Sequence, residues 1–201
     1  MHRARLEPEL LLSAYAQGAF PMAEHDGEIR FYTADPRGIF PLEPGAFHVP
    51  RTLRQLVRKS PQEGGFEIRI NHDFQKTMRS CMANREGGSW INEELIAAYV
   101  ALHRLGFAHS VEAWRDGELA GGLYGVAIRG LFAGESMFSR ATDVSKVALV
   151  HLVERLRRGG FALLDSQYIV GEHMLQFGTI EIPRAEYKRR LNEALQVESR
   201  F

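Results

Sequence analysis

The sequence is poor in the features that would place it in a special class. It has one cysteine, Cys81, among 201 residues. An internal disulfide is therefore excluded, which fits a reducing compartment. It has no net charge, because 25 Lys and Arg balance 25 Asp and Glu. No global field draws it to nucleic acid, so any such contact must come from a local basic cluster. No apolar run approaches the ~20 residues of a membrane span. The opening MHRARLEPELLLSAYAQG starts basic, but Glu7 and Glu9 interrupt it and no small-residue cleavage site follows. A secretory signal is not expected, and the expected location is the cytoplasm. The eight histidines include no H-E-x-x-H and no Cys/His cluster at metal spacing. No zinc or other metal is expected. Internal repeats and low-complexity segments are also missing, which excludes solenoid and tail-like readings.

What is present is an ordinary globular composition, 45% apolar and 25% charged. A chain of this size can bury a core without staples. Pro8 and Gly18 bracket a first helix over Leu10–Gln17, since proline suits a first turn and glycine a stop. Phe20–Pro50 is rich in turn residues, including Asp35-Pro36 and Arg37-Gly38. It reads as short strands and loops of a small N-terminal lobe, residues 1–60, with a short helix over Arg51–Lys59. The remainder, 61–201, reads as an α+β domain. A strand is expected over Phe66–Ile70, a helix over Phe74–Met82, a polar loop over Arg85–Ser89 and a helix from Asn92 to Leu105. Two strands, Ser110–Arg115 and Glu118–Ala127, flank Asp116-Gly117, a strong hairpin signal. Leu131–Phe138 and Phe161–Ile169 read as further strands around an amphipathic helix, Val144–Arg158. A helix near Glu172–Gln176, a strand at Ile180 and Ile182 and a helix over Arg184–Val197 complete the chain. Together these predict a mixed sheet with packed helices.

Polar groups in core-like strands carry the chemical signal. Side chains alternate between the faces of a strand. Alternation puts Glu135 with Leu131, Ala133 and Met137, and puts Asp165 beside Gln167. Burying such groups is costly unless they are paired or used. They are therefore either reacting groups or structural ones, with Asp165 and Gln167 satisfying backbone and Glu135 pairing with Arg140 or Lys146. Arg51, Arg54 and Arg58 share a helix face, with Lys59 next to it. Such a face is either solvated or binds phosphates through counterion release. Trp90 follows a Gly-containing loop and either stacks on a base or anchors the core. Phe132, Met137, Phe138, Phe161 and Tyr168 could line a pocket or simply fill the sheet.

The strings QGAFPM, DPRGIFPL, FHVPRTLR, SWIN, GFAHSVEAWRDGELAGGLYGVA, LFAGESMFSRATDVSKVAL, LLDSQ and FGTIEIPRAEY resemble leucyl/phenylalanyl-tRNA–protein transferases, from about Leu11 to about Leu191. The resemblance implies an acyl-N-acyltransferase (GNAT)-like main domain behind a small lobe. It implies transfer of Leu or Phe from aminoacyl-tRNA to proteins with N-terminal Arg or Lys, marking them for degradation. It implies no metal and no coenzyme. By the same resemblance Asp165 and Gln167 fall at the reaction centre and Glu135 lines it. Trp90 falls at an aminoacyl-adenosine pocket, to which Met22, Met137 and Phe138 are also assigned. Arg51, Arg54, Arg58 and Lys59 fall in a tRNA-binding cluster. The expected roles are Asp165 on the incoming amine, Gln167 orienting amine or carbonyl, and Glu135 pairing with the acceptor cation or holding the other two. An apolar pocket separates side chains by only about 1–3 kcal/mol per methylene, so some use of Met is expected.

Two positions depart from the family pattern. Met22 stands where many members have a second Trp, and Gln55 replaces one basic residue of the cluster. Two other classes remain open. An acyl-CoA-dependent N-acyltransferase would need a phosphate-cradling loop before its long helix, but SRATDVSK contains no glycine. A non-catalytic module binding tRNA or peptide termini would have no use for the Asp165–Gln167 pair.

Overall fold

The computed structural model describes residues 6–83, 88–169 and 171–201. The first helix, α1 (Pro8–Ala16), starts on a proline whose missing N–H is not needed in a first turn. It buries Leu11, Ala14 and Tyr15. Strands β1 (Phe20–Ala23) and β2 (Ile29–Tyr32) then form a separate antiparallel pair. The other elements are β3 (Arg37–Phe40), α2 (Arg51–Arg58), β4 (Glu67–Ile70), α3 (Phe74–Ala83), α4 (Glu93–Arg104), β5 (Ala108–Arg115), β6 (Glu118–Ile128), β7 (Leu131–Ser139), α5 (Val144–Arg158), β8 (Leu163–Gln167), α6 (Glu172–Leu175), β9 (Ile180–Ile182) and α7 (Arg184–Ala194).

Seven strands make one sheet in the order β4-β5-β6-β7-β8-β3-β9. The β5–β6 hairpin turns through Asp116 and Gly117, both at positive φ (52° and 77°), as a tight primed turn demands. Strands β7 and β8 are parallel, so their connection must cross the sheet, and α5 is that crossover. One sheet face packs Tyr124, Val126 and Ala133 against Met78, Leu95 and Tyr99. The other packs Leu123, Phe132 and Leu164 against Leu53 of α2 and Leu149 and Leu152 of α5. The apolar stripe expected on α5 is buried, including Val144, Val147, Val153 and Leu156. The α+β class with a mixed sheet and packed helices is the one read from the sequence.

Three features differ from the sequence reading. Strand β3 comes from the first sixty residues, yet it is hydrogen-bonded to β8 on one side and β9 on the other. A boundary at residue 60 therefore cuts across the sheet. Strand β8 stops at Gln167, short of Ile169, because Gln167 adopts φ 62°. Helix α7 ends at Ala194 and not at Val197. The expected loop Arg85–Ser89 lies outside the described residues except for Gly88 and Ser89.

Candidate functional site

The site is made by a fault in the sheet. Tyr124 pairs with Ser136 while the adjacent Gly125 pairs with Gly134, so Glu135 is an extra residue in β7. This is a β-bulge, which reverses the alternation beyond it. Gly125 permits the close approach: a Cβ there would lie 2.3 Å from the Ala133 carbonyl and 2.5 Å from the Phe132 ring. Across the strand, β7 and β8 pair only through Leu131–Leu163, Phe132–Leu164 and Ala133–Asp165. Past that point the described strands no longer pair, and a cavity of about 290 Å³ opens there. Leu123, Met137, Leu149, Leu152, Leu164 and Met174 line it, with Glu135 and Asp165 at its polar side.

A buried polar network lies at that side. Arg37 and Asp165 are each only 1% exposed. The Arg37 guanidinium donates to both Asp165 oxygens, Nε to Oδ1 at 2.9 Å and Nη2 to Oδ2 at 2.6 Å. The Tyr187 hydroxyl donates to Oδ2 at 2.8 Å, and the Gln167 backbone N–H donates to Oδ1 at 2.8 Å. Four donors fill the acceptor directions of a carboxylate. Burial pulls the Arg37 pKa down, but hydrogen bonds and charge from Asp165 outweigh it and leave the group raised. Burial, reinforced by the Asp165 charge, pushes the Tyr187 phenol well up.

Glu135 faces this network from the bulge. Gln167 Nε2 donates to its Oε1 at 2.6 Å, and Tyr99 donates to Oε2 at 3.0 Å. Tyr15 and Tyr99 also bond each other through their hydroxyls. Burial raises the Glu135 carboxyl to about 7, against the opposing bonds from Tyr15 and Tyr99. The same burial, with the Glu135 charge, raises both phenols well above their usual value. Lys146 pairs with Asp143, and Arg140 bonds the Leu119 carbonyl and Ser80. Neither is the partner of Glu135.

The structure thus brings Asp165, Gln167 and Glu135 together. It does not bring together the four residues expected around an aminoacyl-adenosine. Met137 lines the cavity, but the bulge puts it on the opposite face from Glu135, contrary to simple alternation. Phe138 is turned into the other core and is 2% exposed. Trp90 and Met22 are half-buried against that same core, and the Trp90 carbonyl accepts the Ala23 N–H at 2.9 Å. Phe132 and Phe161 are core residues, and Tyr168 is 44% exposed, edge-on to Phe20. Arg51, Arg54 and Arg58 project from α2 opposite Leu53, and Lys59 follows in extended backbone. Arg54 turns back to the Val49 carbonyl at 3.0 Å.

Four members of the network, Arg37, Tyr187, Tyr15 and Tyr99, escaped the sequence reading. Arg37 sat in a string that reads as a turn, and the tyrosines sit at core spacing on helices. The available signal was a single charge in an otherwise apolar strand, RGIF. Among the described residues, no group of His, Cys, Asp and Glu is arranged to hold a metal ion, and no helix is long and apolar enough to cross a membrane.

Comparison with known proteins decides the family. Residues 41–192 match the family model described as leucyl/phenylalanyl-tRNA protein transferase, and residues 4–35 match that of its N-terminal domain. The chain belongs to the leucyl/phenylalanyl-tRNA–protein transferase family. A protein of that name from Herpetosiphon aurantiacus is 55% identical over 197 residues, covering 98% of both chains. Another, from Paramagnetospirillum magneticum, is 55% identical over 94% of this chain and 90% of its own. A third, from Gloeobacter violaceus, is 51% identical over 98% and 97%. Solved structures resemble this transferase-family chain only distantly. One is the C-terminal domain of a putative lysylphosphatidylglycerol synthetase from Agrobacterium fabrum, with 15% identity, TM-score 0.43, and 92% of this chain and 62% of that one covered.

Proposed function

We propose that the protein transfers Leu or Phe, and less efficiently Met, from aminoacyl-tRNA to the α-amine of proteins with N-terminal Arg or Lys, a step that marks them for degradation in the cytoplasm. The observation that carries the reading is an apolar cavity that has Glu135 in its lining, with the Gln167 amide bonded to that carboxyl. The cavity suits a branched or aromatic side chain, because its walls away from Glu135 and Asp165 are apolar. The family's name supplies the donor class.

In this reading the donor side chain enters the cavity and its ester carbon lies at the polar side. The acceptor amine is already partly neutral near pH 7, with a reference pKa of about 7.7–8.0. Its nitrogen attacks the ester carbon and the bond to the ribose oxygen breaks. Glu135 accepts the amine proton and passes it to the departing ribose oxygen, so that the tRNA leaves with a free 3′ hydroxyl; a carboxyl raised to about 7 is matched to both transfers. Gln167 orients the amine and shares the developing charge through its amide. Asp165 already accepts four hydrogen bonds. We assign it to holding Gln167 and not to direct contact with the amine. Alignment of amine and ester is worth on the order of 7–11 kcal/mol, so a weak base suffices. Trp90 and Met22 are assigned to the terminal adenosine, and Arg51, Arg54, Arg58 and Lys59 to tRNA phosphates.

The acyl-CoA alternative finds no cradle. At the start of α5 the Ser145 N–H is taken by Ser139 Oγ at 3.1 Å, and the Val144 N–H points at the Ala141 carbonyl. The deciding assay mixes the protein with labelled Leu-tRNA and a peptide beginning with Arg. Label in the peptide supports the reading. Failure there, with transfer from acetyl-CoA instead, would replace it.

A further inference from the structure

The buried guanidinium of Arg37 has more contacts than charge neutralisation requires. Nε and Nη2 grip Asp165, while Nη1 donates to the Gly18 carbonyl at 3.0 Å. Its carbon lies 4.8 Å from the Phe20 ring centre and 4.5 Å from that of Tyr187. The end of α1, strand β1 and helix α7 therefore all meet on one side chain of β3. A planar fork gripping both oxygens of a carboxylate fixes its rotation as well as its position.

That rotation matters because of what Asp165 does next. Its Oδ1 accepts the N–H of Gln167 at 2.8 Å. Gln167 sits at φ 62°, a left-handed conformation that is unfavourable for a side-chain-bearing residue unless its surroundings hold it. The turn at Gln167 in turn delivers Nε2 to Glu135 at 2.6 Å. A line of contacts runs from Arg37 through the Asp165 carboxylate and the Gln167 backbone to the Gln167 amide.

We propose that Arg37 is a positioning residue for the transfer reaction, locking Asp165 so that Gln167 is held in the left-handed turn that presents its amide beside Glu135. The proposal rests on the reading of Glu135 and Gln167 as the reacting groups. In this role Arg37 acts through Asp165 and Gln167, its hydrogen bonds being spent on Asp165, Gly18 and Tyr187. Its loss should lower kcat and leave KM for both substrates within about twofold, with kcat falling on the order of a hundredfold, the effect of a misplacement of about 1 Å.

The surface offers a way to test this. A small cavity lined by Gln17, Gly18, Thr33, Ala34, Arg184 and Lys188 reaches Arg37. This cavity is only about 10 Å³ with Arg37 in place, and Arg37→Ala would join it to the space the side chain leaves, giving guanidinium ion a route to Asp165. The measurement is kcat and KM for Leu-tRNA and an Arg-peptide in Arg37→Ala, with and without millimolar guanidinium chloride, alongside Arg37→Lys. Arg37→Ala leaves a buried carboxylate unpaired and folding is at risk. Arg37→Lys keeps the charge but not the fork, so it isolates geometry. The expected result is a low kcat in both variants, an unchanged KM, and at least a tenfold recovery of Arg37→Ala by guanidinium that native protein does not show. Native kcat in folded Arg37→Lys, or a loss in Arg37→Ala that guanidinium leaves untouched, would overturn the proposal. Glu135→Gln and Gln167→Ala serve as the reference. If those two are inactive while Arg37→Lys is normal, only the positioning role fails. If all three turn over normally, the underlying reading of the site fails with it.

Discussion

Glu135 is the residue on which burial and chemistry pull in opposite directions. Its carboxyl is raised to about 7 because burial disfavours the charged form. Folding therefore favours the protonated acid. The contribution to stability is fully present below the usual carboxylate value and is lost as pH rises through about 7. Glu135→Gln cannot ionise, so the variant and the native protein should melt together at pH 4, below the usual carboxylate value. At pH 8 the variant should melt several degrees higher, with an upper bound on the order of 3 kcal/mol. Thermal melts at the two pH values test this, and a pH-independent difference would refute it. The transfer rate should move the other way. It should rise with pH through about 7 in the native protein and stay low in Glu135→Gln, read from initial rates across pH 5.5–8.5. The sequence already marked Glu135, Asp165 and Gln167, since each is a polar residue in an apolar strand. It did not mark Tyr15 and Tyr99, because a tyrosine at helical core spacing has the same pattern whether its hydroxyl is idle or bonded to a carboxylate. Those hydroxyls are visible only once two helices and a bulged strand meet.

At the scale of elements, strand β7 decides the site. Its existence was legible from hydrophobic alternation, but its bulge was not, because one extra residue leaves composition and mean hydropathy untouched. The consequence was the misplaced face of Met137 and Phe138. Gly125 is the partner that lets the bulge form. Gly125→Ala would drive a methyl group into the Ala133 carbonyl and the Phe132 ring. Overpacking of this kind costs about 1–3 kcal/mol. Relief requires β7 to move away from β6, which carries Glu135 with it. The expected outcome is a lower urea midpoint at unchanged m-value together with a reduced kcat. Native stability in this variant would mean that the strands tolerate the methyl and that the close approach has no structural weight. Strand β3 makes a related point. Short strands were legible somewhere in Phe20–Pro50, but Arg37-Gly38 reads as a turn, and nothing local says that a strand there inserts between β8 and β9. Pairing between positions more than a hundred residues apart is decided by which edges remain open after the rest of the sheet has formed.

For the molecule as a whole, the balance of 25 positive and 25 negative residues limits how it can hold a polyanion. With no net field, attraction to tRNA phosphates must come from a patch, and α2 offers one whose inner side is fixed by Leu53. Arg54 is partly committed to the Val49 carbonyl. Arg51 and Arg58 are exposed, and no hydrogen bond or ion pair of theirs competes for the phosphate in the described structure. Each phosphate neutralised releases condensed counterions, so the dependence of log K on log salt reports how many cations engage. Replacing both Arg51 and Arg58 by Ala should weaken Leu-tRNA binding at low salt and reduce the slope by roughly 1.4–1.8, using about 0.7–0.9 per contact. The kcat at saturating Leu-tRNA should be unchanged, because the patch lies on α2 and not in the Glu135–Gln167 network. Filter binding from 50 to 300 mM salt, combined with single-turnover transfer, separates the two effects. An unaltered slope would move the tRNA surface away from α2. A fall in single-turnover rate at saturation would mean that this helix also aligns the acceptor end, and that phosphate binding and ester alignment cannot be assigned to separate parts of the molecule.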